Sequence, residues 1–227
     1  MTLPSSNPLV VALDTSDLRA AEAMAGRLRG AVGMVKAGLE LFIAAGPGCV
    51  ARLRDHAPVF LDLKLHDIPT TAAGAARNAG RLGASMLSVH ALGGPEMVRG
   101  AVAGAAEGAA EVGVEPPAVV AVTVLSSLAE AAGASPASLA FEAVEAGAAG
   151  AVVSGDDVEV VREALGDEPI LVVPGIRPAG LDGHDHVRIL TPVEAMEAGA
   201  DLLVVGRPVT EASDPGAAAA GILRGLR

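Results

Sequence analysis

Short runs of Val, Leu, Ile and Ala recur eight times along the chain, with longer segments between them that are rich in Ala. Because these runs are apolar at almost every position, they indicate strands buried on both faces, as in a parallel sheet. We expect the strands at Leu9–Leu13, Met34–Lys36, Val59–Lys64, Met86–His90, Val119–Thr123, Ala151–Ser154, Ile170–Val173 and Leu202–Val205.

The segments between these runs carry the start and stop signals of helices. Ser16 and Asp17 are cap-type residues ahead of one segment, and Thr191-Pro192 opens another, with proline at the first helical position. The tract 100–113 consists mainly of Ala and Gly, and such small residues suit close packing on a sheet. We therefore predict a helix there as well.

Eight strands alternating with eight helices in 227 residues match a (β/α)8 TIM barrel, whose usual length is about 250 residues. No linker or change of composition divides the chain, so we expect one domain over residues 1–227, with residues 1–8 as a short flexible lead. A doubly wound open sheet is the alternative fold. The sequence VALDTSD follows the first run where that alternative expects GxGxxG, which favours the barrel.

The charge of the chain limits its partners. Its formal net charge is −11 and it has no basic run, so neither nucleic acid nor an anionic membrane surface is expected as a partner. The N-terminal residues lack the pattern of a signal peptide, and no apolar run has the ~18 residues of a membrane span. We expect a soluble, cytoplasmic protein. Cys49 is the sole cysteine, which excludes an intramolecular disulfide and a zinc cluster.

The chain has only two lysines, and their positions suggest a catalytic role. The 16 cationic residues comprise 14 Arg and only 2 Lys, and these are Lys36 and Lys64, each at a predicted strand end. Lysine offers a titratable ammonium that can deliver a proton, whereas arginine stays charged. Chance placement of two lysines is the alternative interpretation.

Asp62 and Lys64 are two residues apart on one strand, so both side chains should point into the barrel mouth, with Leu63 directed toward the helices. Lys36 on the neighbouring strand can pair with Asp62. Buried charges are costly unless they are paired. The alternative is a salt-bridge network that only fills the barrel, but barrels usually fill that space with Val, Ile and Leu.

Two glycine-containing segments predict a phosphate site. VVPGIRP ends the seventh strand and VVGRPVT ends the eighth, and the loops after these strands commonly bind phosphate in this fold. Gly175 and Gly206 permit close approach of the backbone, and Arg207 can bind phosphate with two hydrogen bonds. Arg177 is either a second phosphate ligand or a surface residue. The segment AGLDGHDHVR between them resembles a lid, or is an ordinary solvated loop.

The stretch DLKLHDIPTT, with VALD before it and VTVLSS, PGIRP and VVGRPVT after it, resembles the orotidine 5′-phosphate decarboxylase family over essentially the whole chain. The resemblance implies a Lys–Asp–Lys–Asp tetrad made of Lys36, Asp62, Lys64 and Asp67. It also implies a homodimer, in which Asp67, Ile68 and Thr71 reach into the site of the partner subunit.

The same resemblance assigns the substrate contacts. Asp14 and Lys36 correspond to the ribose ligands, Ser126 to the residue that contacts the pyrimidine, and Arg207 with Gly206 to the phosphate ligands. Arg177 matches a further substrate contact. His186 stands where the family lid usually has Gln, and its imidazole can still donate a hydrogen bond.

The implied activity is that of a lyase, the decarboxylation of orotidine 5′-phosphate to UMP as the final step of de novo UMP synthesis. No cofactor or metal is expected, because no cofactor motif supplies an electron sink. An ammonium held at C6 of the base is then the natural device, and Lys64 would stabilise the carbanion and protonate it.

Two other functions stay open. Relatives with the same barrel and DxKxxD strand, 3-keto-L-gulonate-6-phosphate decarboxylase and hexulose-phosphate synthase, use Mg²⁺, and a barrel that only senses a phosphorylated ligand is a third class. The HDIPTT and VTVLSS segments favour the pyrimidine substrate. We expect His90 to be a satisfied core histidine or one that supports the site, rather than an acid–base group.

Overall fold

The eight apolar runs form eight parallel strands in the computed structural model, which describes residues 7–124, 135–178 and 190–226. Each predicted strand is confirmed to within two residues at either end. The strands are β1 Leu9–Ala12, β2 Met34–Gly38, β3 Val59–Leu65, β4 Met86–His90, β5 Ala118–Val122, β6 Gly150–Val152, β7 Ile170–Val173 and β8 Leu202–Val205.

The sheet closes on itself. Val10 of β1 pairs with Met34 of β2 on one side and with Val204 of β8 on the other, and every neighbouring pair between them is parallel. The predicted (β/α)8 barrel is therefore confirmed, and the open doubly wound sheet is excluded because it would have two edge strands, whereas each of these eight strands is paired on both sides.

Helices follow the strands around the outside of the barrel. They are α1 Leu18–Arg27, α2 Leu39–Ala45, α3 Gly48–Arg54, α4 Pro69–Arg81, α5 Gly94–Val112, α6 Pro136–Glu145, α7 Val158–Leu165, α8 Pro192–Glu197, α9 Arg207–Thr210 and α10 Pro215–Arg224. The predicted caps are present: Asp17 accepts hydrogen bonds from the first turn of α1, and Thr191 forms a capping box with Glu194 in α8. None of the described helices is long and apolar enough to cross a membrane.

Alternation along the strands divides the core into two layers. One set of side chains fills the barrel interior and includes Val10, Met34, Phe60 and Met86, all essentially inaccessible to solvent. The other set points outward and packs against the helices. Because strand side chains alternate, the residues two positions beyond the interior set must also face inward, at the carboxyl end of the barrel.

The tract predicted as helix over 100–113 forms the greater part of α5, which begins earlier, at Gly94, and is capped by Gly113 in a left-handed conformation. This helix contacts α4 through glycines. A Cβ atom on Gly104 would collide with the carbonyl of Ala73, and one on Gly108 with the carbonyl of Arg77. The two helix backbones therefore touch directly, with no side chain between them.

Residues 1–6 of the predicted N-terminal lead lie outside the described residues, so its flexibility stays a prediction. The last two residues of the lead are held to the barrel. The side chain of Asn7 donates to the carbonyl of Ala31, and the carbonyl of Pro8 accepts from the backbone of Leu203.

Substituting glycine by alanine should have opposite effects at two positions of this helix pair. Gly104→Ala should lower the free energy of unfolding by about 1–3 kcal/mol, because the added methyl group forces α4 and α5 apart. The control is Gly74→Ala, an exposed position in α4 where a Cβ meets nothing within 4 Å. It should raise stability by roughly 0.5–1 kcal/mol, because alanine is the better helix former. Urea unfolding of both variants measures the difference, and equal effects would contradict the direct backbone contact.

Candidate active site

Polar side chains take over from apolar ones at the carboxyl end of the barrel interior. Met34 is followed two positions later by Lys36, Phe60 by Asp62, and Met86 by Ser88, so each strand continues its inward-facing side with a polar residue. Isolated charges in such a place would be strongly unfavourable, and they must therefore satisfy one another.

They do so around a single carboxylate oxygen. Lys64 Nζ lies 2.8 Å from Asp62 Oδ2, and Lys36 Nζ lies 3.5 Å from the same oxygen. Lys36 Nζ is also 3.4 Å from Oδ1 of Asp14, whose side chain is largely exposed. The result is a row of alternating charge, Asp14–Lys36–Asp62–Lys64, whose two central members are the most buried. The predicted convergence of both lysines on Asp62 is present.

Ser88 is part of this network, although the sequence reasoning did not single it out. Its hydroxyl donates to Asp62 Oδ1 at 2.7 Å and accepts from the backbone N–H of Lys64 at 2.9 Å, and the residue is fully buried. Strand alternation from Met86 would have placed Ser88 beside Asp62. A lone serine in an apolar run carries no other signal of a role.

The pKa of Asp62 reflects two opposing influences. Burial is the largest and acts to raise it, but the charges of Lys36 and Lys64, with hydrogen bonds from Lys64 and Ser88, outweigh burial. The pKa of Asp62 therefore lies below that of an ordinary aspartate, and the carboxylate stays ionised at neutral pH.

Lys64 reaches its position by an irregular backbone. Its φ is 50°, so it is the one non-glycine in the described residues with a left-handed conformation. Leu61 pairs with Leu87 and Leu65 with Val89, so β3 carries extra residues against β4 at this point. The alternation of residues in the sequence predicts a regular strand here. A bulge redirects a side chain at a modest cost in backbone energy, and such features concentrate at functional sites.

A cavity of about 670 Å³ opens onto the charge row. It extends from Lys36 and Asp62 to the loops after β7 and β8, a size and shape suited to a small-molecule ligand. Its polar lining includes Asp14, Lys36, Asp62, Arg177, Arg207 and Glu211, with Gly175 and Gly206 at the loops.

The predicted phosphate residues line the far end of this cavity. Arg177, for which the sequence left open a ligand or a surface position, is buried and faces the cavity. Arg207 is exposed and begins α9 directly after Gly206. Gly175 has a φ of 77°, a conformation that favours glycine, and a Cβ on Gly206 would come within 3.9 Å of the Asp14 carboxylate.

Asp67, Ile68 and Thr71 are not part of the charge row within this chain. All three are exposed on the segment that leads from β3 into α4. Asp67 Oδ1 accepts from the backbone N–H of Ile68 at 2.7 Å, and no ion pair joins Asp67 to Lys64 in the described residues. Ile68 exposes 64% of its surface, and exposed Leu39, Ile43 and Leu92 follow the neighbouring strands β2 and β4.

The remaining predicted residues have different outcomes. Ser126, and His186 with the predicted lid, lie outside the described residues. His90 ends β4 and stacks on His66, and its Nδ1 is buried without a hydrogen-bond partner in the described part of the chain. The expectation of a satisfied core histidine does not hold for this nitrogen in the described residues, and the alternative, a histidine that supports the site, stays a prediction. In the described ranges no three His, Cys, Asp or Glu side chains are arranged to hold a metal ion.

A closed (β/α)8 barrel with a network of paired charges at the carboxyl ends of its strands is the architecture of the barrel enzymes. The chain belongs to the orotidine 5′-phosphate decarboxylase / HUMPS family, whose model matches residues 7–222. The family and the decarboxylase class, a carboxy-lyase, were both predicted from the sequence and are confirmed.

Curated relatives point to one branch of this family. An orotidine 5′-phosphate decarboxylase of Anaeromyxobacter dehalogenans is 50% identical over 97% of this chain and 99% of its own length. That of Moorella thermoacetica is 46% identical over 96% of this chain and 91% of its own. The crystal structure of orotidine 5′-phosphate decarboxylase from Lactobacillus acidophilus superposes with a TM-score of 0.84 at 35% identity, covering 97% of this chain and 99% of that one.

The lowered pKa of Asp62 predicts how stability depends on pH. A carboxylate whose pKa is lower in the folded state stabilises the fold fully above its unfolded pKa of about 3.9, and this contribution is lost as the pH falls through the folded value. Asp62→Asn should therefore lower the free energy of unfolding by about 2 kcal/mol or more near pH 7, since it leaves two lysines without their shared partner.

The difference from wild type should shrink below about pH 4, as Asp62 itself becomes protonated. Urea unfolding of both proteins between pH 3 and pH 7 measures it. Glu159→Gln, an exposed position on α7, is the control and should show a much smaller pH-dependent difference. A constant gap between wild type and Asp62→Asn at all pH values would contradict the ionised network.

Proposed function

We propose that this chain decarboxylates orotidine 5′-phosphate to UMP without a cofactor, as the final step of de novo UMP synthesis in the cytoplasm. The relatives named above are all orotidine 5′-phosphate decarboxylases. The observation that carries the proposal is the single oxygen of Asp62 shared by the ammonium groups of Lys36 and Lys64, at the edge of a cavity that also contains Arg207.

The chemistry requires a positive charge at one carbon. When the bond between C6 and the carboxylate breaks, CO₂ leaves and the electron pair stays on C6, in the plane of the ring, where no carbonyl delocalises it. The ammonium of Lys64 stabilises this pair and then donates a proton to it, which forms the C6–H bond of UMP. Solvent returns a proton to the Lys64 amine after product release.

Asp62 and Lys36 prepare that ammonium for its role. The ionised carboxylate of Asp62 holds Lys64 charged and oriented, and Lys36 with Ser88 fixes the carboxylate in turn. Because these groups are already oriented before the substrate binds, little reorganisation is needed when charge develops on C6.

The rest of the nucleotide is bound along the cavity. Asp14 and Lys36 are assigned to the ribose, and Arg207, Gly206 and Arg177 to the phosphate, because all five line this cavity. Ser126 is assigned to the pyrimidine edge, and His186 to a contact between the lid and the phosphate. Phosphate binding far from C6 then supplies free energy that the reaction uses to orient the base.

The active form is proposed to be a homodimer. Asp67, Ile68 and Thr71 are exposed, and Asp67 makes no ion pair with Lys64 in the described residues, so three of the four tetrad residues converge within one chain. The exposed apolar residues Leu39, Ile43, Ile68 and Leu92 lie on the same side of the barrel mouth, and burying them against a second copy would bring Asp67 to the partner's Lys64.

The Mg²⁺-dependent branch of the same family is the main alternative. There a carboxylate at the position of Asp62 would serve as a metal ligand. In this chain both oxygens of Asp62 already accept hydrogen bonds, Oδ1 from Ser88 and Oδ2 from Lys64, and the nearby lysines disfavour a divalent cation. This arrangement supports the metal-independent reaction.

The decisive test is turnover of orotidine 5′-phosphate by the purified protein in the presence of EDTA, followed by the loss of absorbance as UMP forms. The chain has no Trp and no Tyr, so its own absorbance is low. We expect full activity with EDTA present. Complete loss of activity that Mg²⁺ restores would favour the alternative branch, and no turnover with or without Mg²⁺ would favour a ligand sensor.

Lys64→Ala should abolish turnover, with a fall in kcat of at least about a thousandfold, because it removes both the stabilising charge and the proton donor. The variant should keep its unfolding cooperativity, since Lys64 is one-third exposed at the barrel mouth. Arg99→Ala removes an exposed cation on α5 and serves as the control, with unchanged activity expected. Undiminished turnover by Lys64→Ala would remove the role assigned to this residue.

Mixing two inactive variants tests the shared site. In a heterodimer of Lys64→Ala with Asp67→Asn, one of the two sites has an intact Lys64 from one chain and an intact Asp67 from the other. If subunits exchange at random, about a quarter of all sites should be active, whereas each variant alone is inactive. Absence of any recovered activity after verified subunit exchange would place Lys64 and Asp67 of one site on the same chain.

A further inference from the structure

Two histidines outside the charge row stack on each other beside it. The rings of His66 and His90 have centroids 5.2 Å apart and planes inclined by 28°. His90 is the last residue of β4, two positions beyond Ser88 on the inward-facing side, and His66 comes directly after β3. The pair therefore joins the ends of the two strands that carry Asp62, Lys64 and Ser88.

Gly93 leaves space for the His66 side of the stack. At Gly93, in the turn between β4 and α5, a Cβ would come within 3.3 Å of His66 Cδ2 and would collide with the side chain of Met97. Glycine at this position leaves the room in which His66 and Met97 lie. His66 is thus held between the ring of His90 and the backbone of the next loop, although the residue itself is exposed.

The surroundings of His90 disfavour a charge on it. Its Nδ1 is buried and has no hydrogen-bond partner in the described residues. Burial lowers the pKa of His90 most, followed by the charges of His66 and Lys64. On its other side, β5 presents Val122 as the paired residue, and Glu96, an acid in the first turn of α5, is ion-paired with Arg99. A neutral imidazole is expected at pH 7.

His66 occupies the connection between two members of the predicted tetrad. Lys64 lies two residues before it, in its left-handed conformation, and Asp67 directly follows it. The direction in which the chain leaves Lys64 is therefore fixed at His66. The bulge is also joined to β4 by the Lys64–Ser88 hydrogen bond and the Leu65–Val89 pair, and the stack extends this contact toward Asp67.

We propose that the His66–His90 stack is a positioning pair, which holds Lys64 against Asp62 and directs the Asp67 segment away from its own chain toward a partner subunit. His90 performs this role as a neutral ring, so that no second cation repels Lys64. This inference rests on the proposed function, since catalytic rates are its main readout.

The test compares variants that remove the stack with variants that keep it. His90→Ala and His66→Ala should each lower kcat by about ten- to a hundredfold, as expected when a reacting group is displaced by a fraction of an ångström to an ångström. KM should stay within about threefold, because the phosphate end of the cavity is untouched. His90→Phe and His66→Phe keep a ring and should restore most of kcat.

The pH profile separates positioning from simple structural support. In the wild type, kcat should fall at a pH below the ordinary imidazole pKa of about 6.5, because the pKa of His90 is lowered and a protonated His90 would repel the Lys64 ammonium. In His90→Phe this fall should shift to lower pH. His56→Ala, which alters a histidine at the opposite end of the barrel beside Arg29, is the control and should behave as wild type.

The outcomes are distinguishable from failure of the proposed function. If wild type does not turn over orotidine 5′-phosphate, the proposed function fails, and the stack then has no catalytic readout and the inference falls with it. Two results with an active wild type would overturn only the positioning role. One is that the alanine variants keep full kcat, and the other is that kcat of His90→Phe falls at the same low pH as kcat of the wild type. Should a His90 variant fail to fold, the exposed His66→Ala and His66→Phe pair decides alone.

Discussion

One carboxylate organises this molecule. Asp62 Oδ2 is shared by two ammonium groups, Oδ1 accepts from a buried serine, and the pKa of Asp62 is lowered despite its burial. Removing Asp62 would leave two ammonium groups without the carboxylate that they share. The two carboxylate oxygens of Asp62 therefore link three neighbouring strands. They connect β3, with the bulge at Lys64, to Ser88 on β4 and to Lys36 on β2.

Much of the fold followed from the sequence because parallel strands buried on both faces consist of uninterrupted apolar runs, and all eight were recognisable. The acid–base row followed from strand alternation, which places Lys36 and Asp62 above Met34 and Phe60. Lys64 was placed correctly for a reason that is only partly right. Lys64 reaches Asp62 because its own backbone is left-handed and because β3 has a bulge at this point. Neither the left-handed conformation nor the bulge can be recognised in the sequence of β3, which reads as a regular strand.

Other parts of the site depend on contacts between distant strands, which a single sequence does not encode locally. Ser88 is one serine in an apolar run, and its role appears only when β4 lies beside β3. The stack of His66 on His90 depends in the same way on the absence of a side chain at Gly93. Asp67 is exposed and makes no ion pair with Lys64 in the described residues, so its proposed role across a subunit boundary could not be read from one subunit.

The glycine contact between α4 and α5 has a consequence beyond stability. Helix α4 begins at Pro69, immediately after the exposed Asp67 segment, and its carbonyl groups rest directly against α5. Side-chain packing can adapt by changing rotamers, but two touching backbones have no such freedom. The distance between α4 and α5 is thus fixed by contact between their backbones. A loop anchored to it starts from the same point in every molecule, which is what a residue needs if it must meet its target across a boundary between subunits.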